Sequence, residues 1–375
     1  MKKCYFLFAA FVFTSALFSQ NTKHVLFLGN SYTGVNNLPQ MVANLALSLG
    51  DTLIFDSNTP GGFTFQGHST DATSQAKIAQ GGWDYVVLQE QSQLPSFPYS
   101  QFSVQSLPYA ITLAQQIRAA DSCTKPLFYM TWGRKNGDQS NCAINPIVCT
   151  YAGMQHELRA RYLIMADTTN AEVAPVGAVW RDVRANNSSI ELYQTDESHP
   201  SLEGSYLAAC TFYASIFHKS PVGAAPAPTM WAMDAIAIQQ QAAATVFDSL
   251  GVWMIDTLKP HASFTWSVIN VFPSYCEVVL DASASLNADS IYWDFGIGLY
   301  GSGFIDTVQF PGSGGGSYIV SIEAWRGCEF DTTSLVLPVW AYYWDIAENQ
   351  LQGISIYPNP TTSKLRVAQF NQAAQ

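Results

Sequence analysis

The stretch His24-Val25-Leu26-Phe27-Leu28-Gly29-Asn30-Ser31-Tyr32-Thr33 runs from an unbroken apolar segment into a glycine-led polar turn. A run this short and this apolar suits a strand buried on both faces, as in a parallel sheet covered by helices. Its end puts Ser31 on the turn that leaves the strand. Serine is a weak nucleophile until a base takes its proton and a carboxylate holds that base in the right tautomer. Asp196-Glu197-Ser198-His199-Pro200, far downstream, supplies an acid and an imidazole three residues apart. Amides at the start of the following helix can stabilise an oxyanion. Taken singly, Ser31 reads as a turn residue, and Asp196 and His199 as caps ahead of Pro200. Capping and catalysis are compatible at these positions.

Working outward from this run, strand-like and helix-like segments alternate. Val25–Leu28, Tyr85–Leu88, Leu127–Thr131 and Val173–Pro175 read as strands, with a weaker one at Thr52–Phe55. Pro39–Leu49, Ser103–Ala120, Tyr151–Ala166 and Gly204–Phe217 show helical spacing, and Thr229–Leu250 is a further helix that would close the domain. The pattern predicts an α/β domain over residues 21–257 with a parallel sheet covered on both faces. It changes near Lys259-Pro260. Residues 260–340 carry short alternating runs such as Glu277-Val278-Val279-Leu280, with Gly-rich turns between them, and predict a small antiparallel β-sandwich. Residues 350–375 form a separate closing segment.

Composition bounds the function. Hydrophobic residues make up 48% of the 375 and charged residues 12%, which supports a large core and argues against long disorder. Lys2, Lys3 and the apolar Tyr5–Phe18 read as a secretory signal peptide over residues 1–20. Its removal takes the formal net charge from -11 to about -13, so the chain has no electrostatic reason to bind nucleic acid or anionic membrane. No later stretch is long and apolar enough to span a bilayer.

Seven cysteines include Cys4 in the leader. The other six permit disulfides in an exported chain, and the pairs expected are Cys276–Cys328 and Cys142–Cys149. Cys210, on an apolar helix, reads as a buried thiol. His24, His156, His218 and His261 lack ligand spacing with carboxylates, so no metal is expected.

The first domain, over roughly residues 24–220, resembles the SGNH (GDSL-like) hydrolase superfamily. Gly29-Asn30-Ser31-Tyr32-Thr33 is similar to the family's nucleophile block. Pro60-Gly61-Gly62-Phe63-Thr64 lies where the family places its second-block glycine, and Gln89-Glu90-Gln91-Ser92 lies where its third block follows a strand. Asp196 to His199 has the spacing of the last block. The resemblance implies a three-layer α/β/α fold with a five-stranded parallel sheet, and Ser31, His199 and Asp196 as a catalytic triad. It also implies an oxyanion hole made by the amides of Ser31 and Gly62 and by the side chain of Gln91. The third block departs from the family pattern, because Gln91 stands where Asn is usual. Alternation leaves Gln89 open as the donor instead.

Trp132 and Arg134 follow a strand end on the same sheet edge and could line a substrate site. Trp132 could equally pack inward. His68 could touch substrate or be a satisfied structural histidine. Trp293 reads as core. The second domain resembles PKD-type sandwiches through Tyr292-Trp293-Asp294-Phe295-Gly296. The tail resembles the start of a type IX secretion sorting signal through Ile356-Tyr357-Pro358-Asn359-Pro360, which implies contact with secretion machinery. The function these resemblances imply is a secreted serine esterase that needs no cofactor and acts on an ester, with an acetylated carbohydrate as the substrate expected. The alternative is a non-catalytic surface or carbohydrate-binding protein on the same fold.

Overall fold

The computed structural model describes residues 21–257, 259–272, 274–312 and 316–339, together with the backbone of 354–357 and 366–369. The leader expected at 1–20 lies outside the described residues. The chain divides into two compact units, Met1–Leu258 and Lys259–Gln375.

In the first unit five parallel strands form one sheet. They are β1 (Thr22–Leu28), β2 (Thr52–Asn58), β3 (Tyr85–Leu88), β4 (Lys125–Tyr129) and β5 (Glu172–Ala174), in the order β2-β1-β3-β4-β5. The apolar runs are continuous because both faces are covered. Val25 and Phe27 of β1 enter one core layer, and Leu26 and Leu28 enter the other.

Helices α2 (Leu38–Ser48), α8 (Val176–Asn186), α9 (Leu202–Phe217) and α10 (Ala232–Phe247) pack mainly on the first face. Helices α3 (Phe65–Thr70), α4 (Ala72–Ala79), α5 (Tyr99–Gln105), α6 (Leu107–Ala120) and α7 (Tyr151–Thr169) pack on the second, and α1 (Ser31–Gly34) is a single turn after β1. This is the parallel sheet covered on both faces that the sequence pattern predicts, and the three-layer α/β/α fold with five strands that the resemblance implies. Leu28 pairs with Leu88 and Leu88 with Phe128, so the loops leaving β1, β3 and β4 emerge side by side. In open parallel sheets ligands bind at this carboxyl edge.

Some expectations are revised. Ser103–Ala120 is not one helix: it breaks at Ser106, between α5 and α6. Pro108 has no N–H and would clash with the carbonyl four residues back inside a helix, so it sits in the first turn of α6 instead. The short polar helices α3 and α4 and the amphipathic α8 have no counterpart in the sequence reading.

The second unit contains β6 (Thr265–Val271), β7 (Tyr275–Asp281), β8 (Ser290–Asp294), β9 (Tyr300–Ser302), β10 (Ile305–Pro311), β11 (Gly316–Arg326) and β12 (Glu329–Val339). They form two antiparallel sheets, β10-β7-β6 and β12-β11-β8-β9. Trp293, Phe295, Phe310, Val278 and Ile322 fill the core, which makes this region an antiparallel β-sandwich. Strands β13 (Ile354–Tyr357) and β14 (Arg366–Gln369) pair with each other, and Pro358-Asn359-Pro360 lies outside the described residues.

The expected Cys276–Cys328 bridge is not formed, because Cys276 is a free, buried thiol. Strand alternation explains this. Cys276 faces the core beside Val278 and Leu280, whereas Cys328 sits on the exposed turn between β11 and β12. Cys142–Cys149 is a disulfide, and Cys210 is free and buried.

Candidate active site

Ser31 opens α1 directly beyond β1. Asn30 caps this turn: its Oδ1 accepts from the Tyr32 amide at 3.1 Å, and its Nδ2 donates to the Phe63 carbonyl at 2.9 Å. Gly29 must be glycine here. A Cβ at this position would fall 2.7 Å from Gln89 Oε1 and closer still to Thr33. The structure brings Ser31, His199 and Asp196 together across 168 residues of chain: His199 Nε2 lies 2.9 Å from Ser31 Oγ. The other ring nitrogen, Nδ1, is hydrogen-bonded to Asp196 Oδ2.

Asp196 Oδ1 accepts the backbone amides of Ser198 at 3.1 Å and His199 at 3.0 Å. Burial alone would raise the Asp196 pKa. The His199 side chain and these two amides outweigh it and hold the carboxyl below its usual range.

The turn that carries His199 is tightly held. Glu197 has φ +62°, an uncommon conformation for a non-glycine residue. It is fixed by the Lys135 amide on its carbonyl at 2.9 Å and by Asn136 Nδ2 on its carboxylate at 2.8 Å. Ser198 is clasped as well: its hydroxyl bonds Tyr32 Oη at 2.6 Å, and its carbonyl accepts from Trp132 Nε1 at 3.0 Å.

This corrects one reading of Trp132. The ring is fully buried and offers no wall to substrate. It lies sandwiched between Tyr32, with ring centroids 4.7 Å apart, and Trp180, at 3.9 Å. His68 is likewise out of reach of substrate. It is fully buried, with Nε2 donating to the Gly29 carbonyl at 2.9 Å and Nδ1 against Ser74 Oγ at 2.8 Å. Burial lowers its pKa and favours the neutral ring. Arg134 stays partly exposed at the rim, 3.4 Å from the buried Asp138.

The two candidate oxyanion loops flank Ser31. In Pro60-Gly61-Gly62-Phe63 the Phe63 amide bonds the Pro60 carbonyl at 3.2 Å, and Gly62 takes φ +70°, the turn position that glycine fills without strain. The two glutamines after β3 separate clearly. Gln89 is buried and presents its oxygen to the nucleophile turn, accepting from the Asn30 amide and from Thr33 Oγ1, each at 2.9 Å. Gln91 is half-buried. Its Oε1 accepts the amides of Gln93 at 2.8 Å and Leu94 at 3.2 Å, while Nε2 donates to Gln93 Oε1 at 3.3 Å. That orientation leaves one N–H of Gln91 for a further acceptor.

The sequence reading missed Glu90, which lies fully buried between these loops, and Tyr32 and Ser198 as supports of the His199 turn. A carboxylate two residues beyond an all-apolar strand was the available signal for Glu90. Among the described residues, no three His, Cys, Asp or Glu side chains group as a metal site, and no helix is long and apolar enough to cross a membrane.

No protein-family model matches the chain, and no curated protein matches it. Solved structures do. A DUF4886 family protein from Bacteroides uniformis is 19% identical over 60% of this chain and 95% of its own, with a TM-score of 0.53. A protein from Slackia heliotrinireducens, provisionally described as an SGNH hydrolase, is 28% identical over 51% of this chain and 97% of its own, with a TM-score of 0.43. The PKD1 domain of Vibrio anguillarum Epp is 23% identical over 22% of this chain and 96% of its own, with a TM-score of 0.19. The Bacteroides uniformis likeness concerns the fold alone, and it covers about the length of the α/β/α unit described above.

Proposed function

We propose that the chain is an exported serine esterase of SGNH type that removes acetyl groups from a carbohydrate. The observation that carries the reading is the Ser31–His199–Asp196 arrangement, with Nε2 2.9 Å from Oγ. That distance lets the imidazole take the hydroxyl proton as Oγ attacks an ester carbonyl. Asp196, on Nδ1, holds the tautomer that leaves Nε2 free to accept. The tetrahedral oxyanion is met by the amides of Ser31 and Gly62 and by the spare N–H of Gln91. His199 then returns the proton to the departing alcohol. Water, activated by the same imidazole, cleaves the acyl-serine. No step needs a cofactor.

Acetyl and carbohydrate are the narrower parts of the reading. They rest by analogy on the expected export, the PKD-like companion and the habit of the SGNH superfamily that the chain resembles, and Arg134 at the rim is the candidate substrate contact. The test is a fluorophosphonate probe with peptide mapping, followed by turnover of nitrophenyl esters of rising chain length and of acetylated polysaccharides. Labelling at Ser31 and loss of turnover in Ser31→Ala are expected. Label on another residue, or an active Ser31→Ala, refutes the assignment.

A further inference from the structure

Glu90 is a buried carboxylate that the proposed reaction does not use. It is fully buried, and no cation pairs with it among the described contacts. An unpaired charge in the interior is costly, so its bonds are informative. One oxygen, Oε1, accepts two backbone amides: Phe65 at 2.9 Å and Gln91 at 2.7 Å. The other, Oε2, accepts from Ser106 Oγ at 2.9 Å, at the break between α5 and α6. Phe65 begins the helix three residues after Gly62, and Gln91 carries the candidate side-chain donor. A single carboxylate oxygen therefore joins the backbones of both oxyanion loops. The far side of the first loop is tied to the nucleophile turn through Asn30 and the Phe63 carbonyl.

We infer that Glu90 is a positioning residue that sets the spacing between the Gly62 and Gln91 donors. Ser106 fixes the direction from which its carboxylate reaches them. The inference rests on the esterase reading of Ser31 and adds a residue to that site. What the clamp needs is an acceptor at Oε1 and an arm of the right length, not a charge. Glutamine meets both needs, since its carbonyl oxygen can accept the two amides while its NH2 turns to Ser106. Alanine meets neither, and aspartate is one methylene short.

The experiment compares wild type, Glu90→Gln, Glu90→Asp and Glu90→Ala on nitrophenyl acetate, with the rate of fluorophosphonate labelling read beside kcat and KM. Near-UV circular dichroism establishes that each variant is folded. Donors displaced by about 1 Å lower kcat on the order of 100-fold. The expected result is a fall of that size for Glu90→Ala with KM little changed and labelling slowed in parallel, a smaller fall for Glu90→Asp, and recovery in Glu90→Gln to within about threefold of wild type. Should Glu90→Ala not fold, Glu90→Asp against Glu90→Gln decides. A purely structural residue would move stability and leave kcat and labelling alike across the folded variants, and that result overturns the inference. A wild type that neither labels at Ser31 nor turns over removes the esterase reading and this inference together. An active wild type with unaffected variants removes this inference alone.

Discussion

The proton on Glu90 ties stability to pH in a way that can be measured. Burial pushes its pKa up from 4.5 to about 7, against the opposing pull of the Gln91 and Phe65 amides and the Ser106 hydroxyl. Tyr162, from α7, is the titratable neighbour that feels this charge; burial raises its own phenol, and Glu90 adds to the rise. A folded-state pKa above the unfolded value means that the native state holds the proton more tightly. The stabilisation is fully present below about pH 4.5 and is lost as pH rises through about 7. A displacement of this size corresponds to about 3 kcal/mol. Glu90→Gln cannot titrate and escapes the loss. Its stability relative to wild type should therefore grow by about 3 kcal/mol between pH 4.5 and pH 8, or by about 6–12 °C in Tm for a unit of this size. Urea unfolding followed by tryptophan fluorescence at five or six pH values gives the difference directly, because Tyr162, the neighbour that feels Glu90, keeps its proton throughout this range. Two curves that run parallel across that range would show that Glu90 ionises like an exposed carboxyl, and the account of its burial would be wrong.

Gln91→Ala should lower kcat about 100-fold with KM nearly unchanged, as expected for loss of one oxyanion donor, and Gln91→Asn should keep partial activity. Steady-state kinetics on a short nitrophenyl ester check this, and an unchanged kcat would assign the oxyanion to backbone amides alone. Opening the Cys142–Cys149 bridge by double serine substitution should cost at most about 2.5 kcal/mol, the chain-entropy value for so short a loop, as read by denaturant unfolding. Alkylation mapping without reductant should find the Cys276 thiol reactive only after denaturation.

The parallel sheet was legible because burial on both faces leaves unbroken apolar runs, and Val25–Leu28 and Tyr85–Leu88 lie inside observed strands with few residues to spare. The helices that escaped notice are those in which local signal is weak. Helix α3, Phe-Gln-Gly-His-Ser-Thr, is six residues long with one apolar side chain, and it stands through its Thr64 cap and its contacts rather than by propensity. Sequence spacing pointed to Ser31, Asp196 and His199 as a set, but it could not orient an amide. Gln89 and Gln91 share a face by alternation, and only their acceptors and donors tell them apart. The Cys276 expectation failed for a reason that was already visible. In Tyr275-Cys276-Glu277-Val278-Val279-Leu280, the period of two puts Cys276 with Val278 and Leu280, on the side that faces inward.

The pile of Tyr32, Trp132 and Trp180 also provides an optical handle on the site. Two indoles stacked 3.9 Å apart and 5° from parallel should couple their electronic transitions. Their signal belongs to the place where Trp132 grips the carbonyl before His199. Any ligand that shifts the His199 turn must disturb that grip. If the esterase reading holds, a ligand that moves this turn should change the coupled signal without any label, and Trp180→Phe should remove that signal from among the other tryptophans.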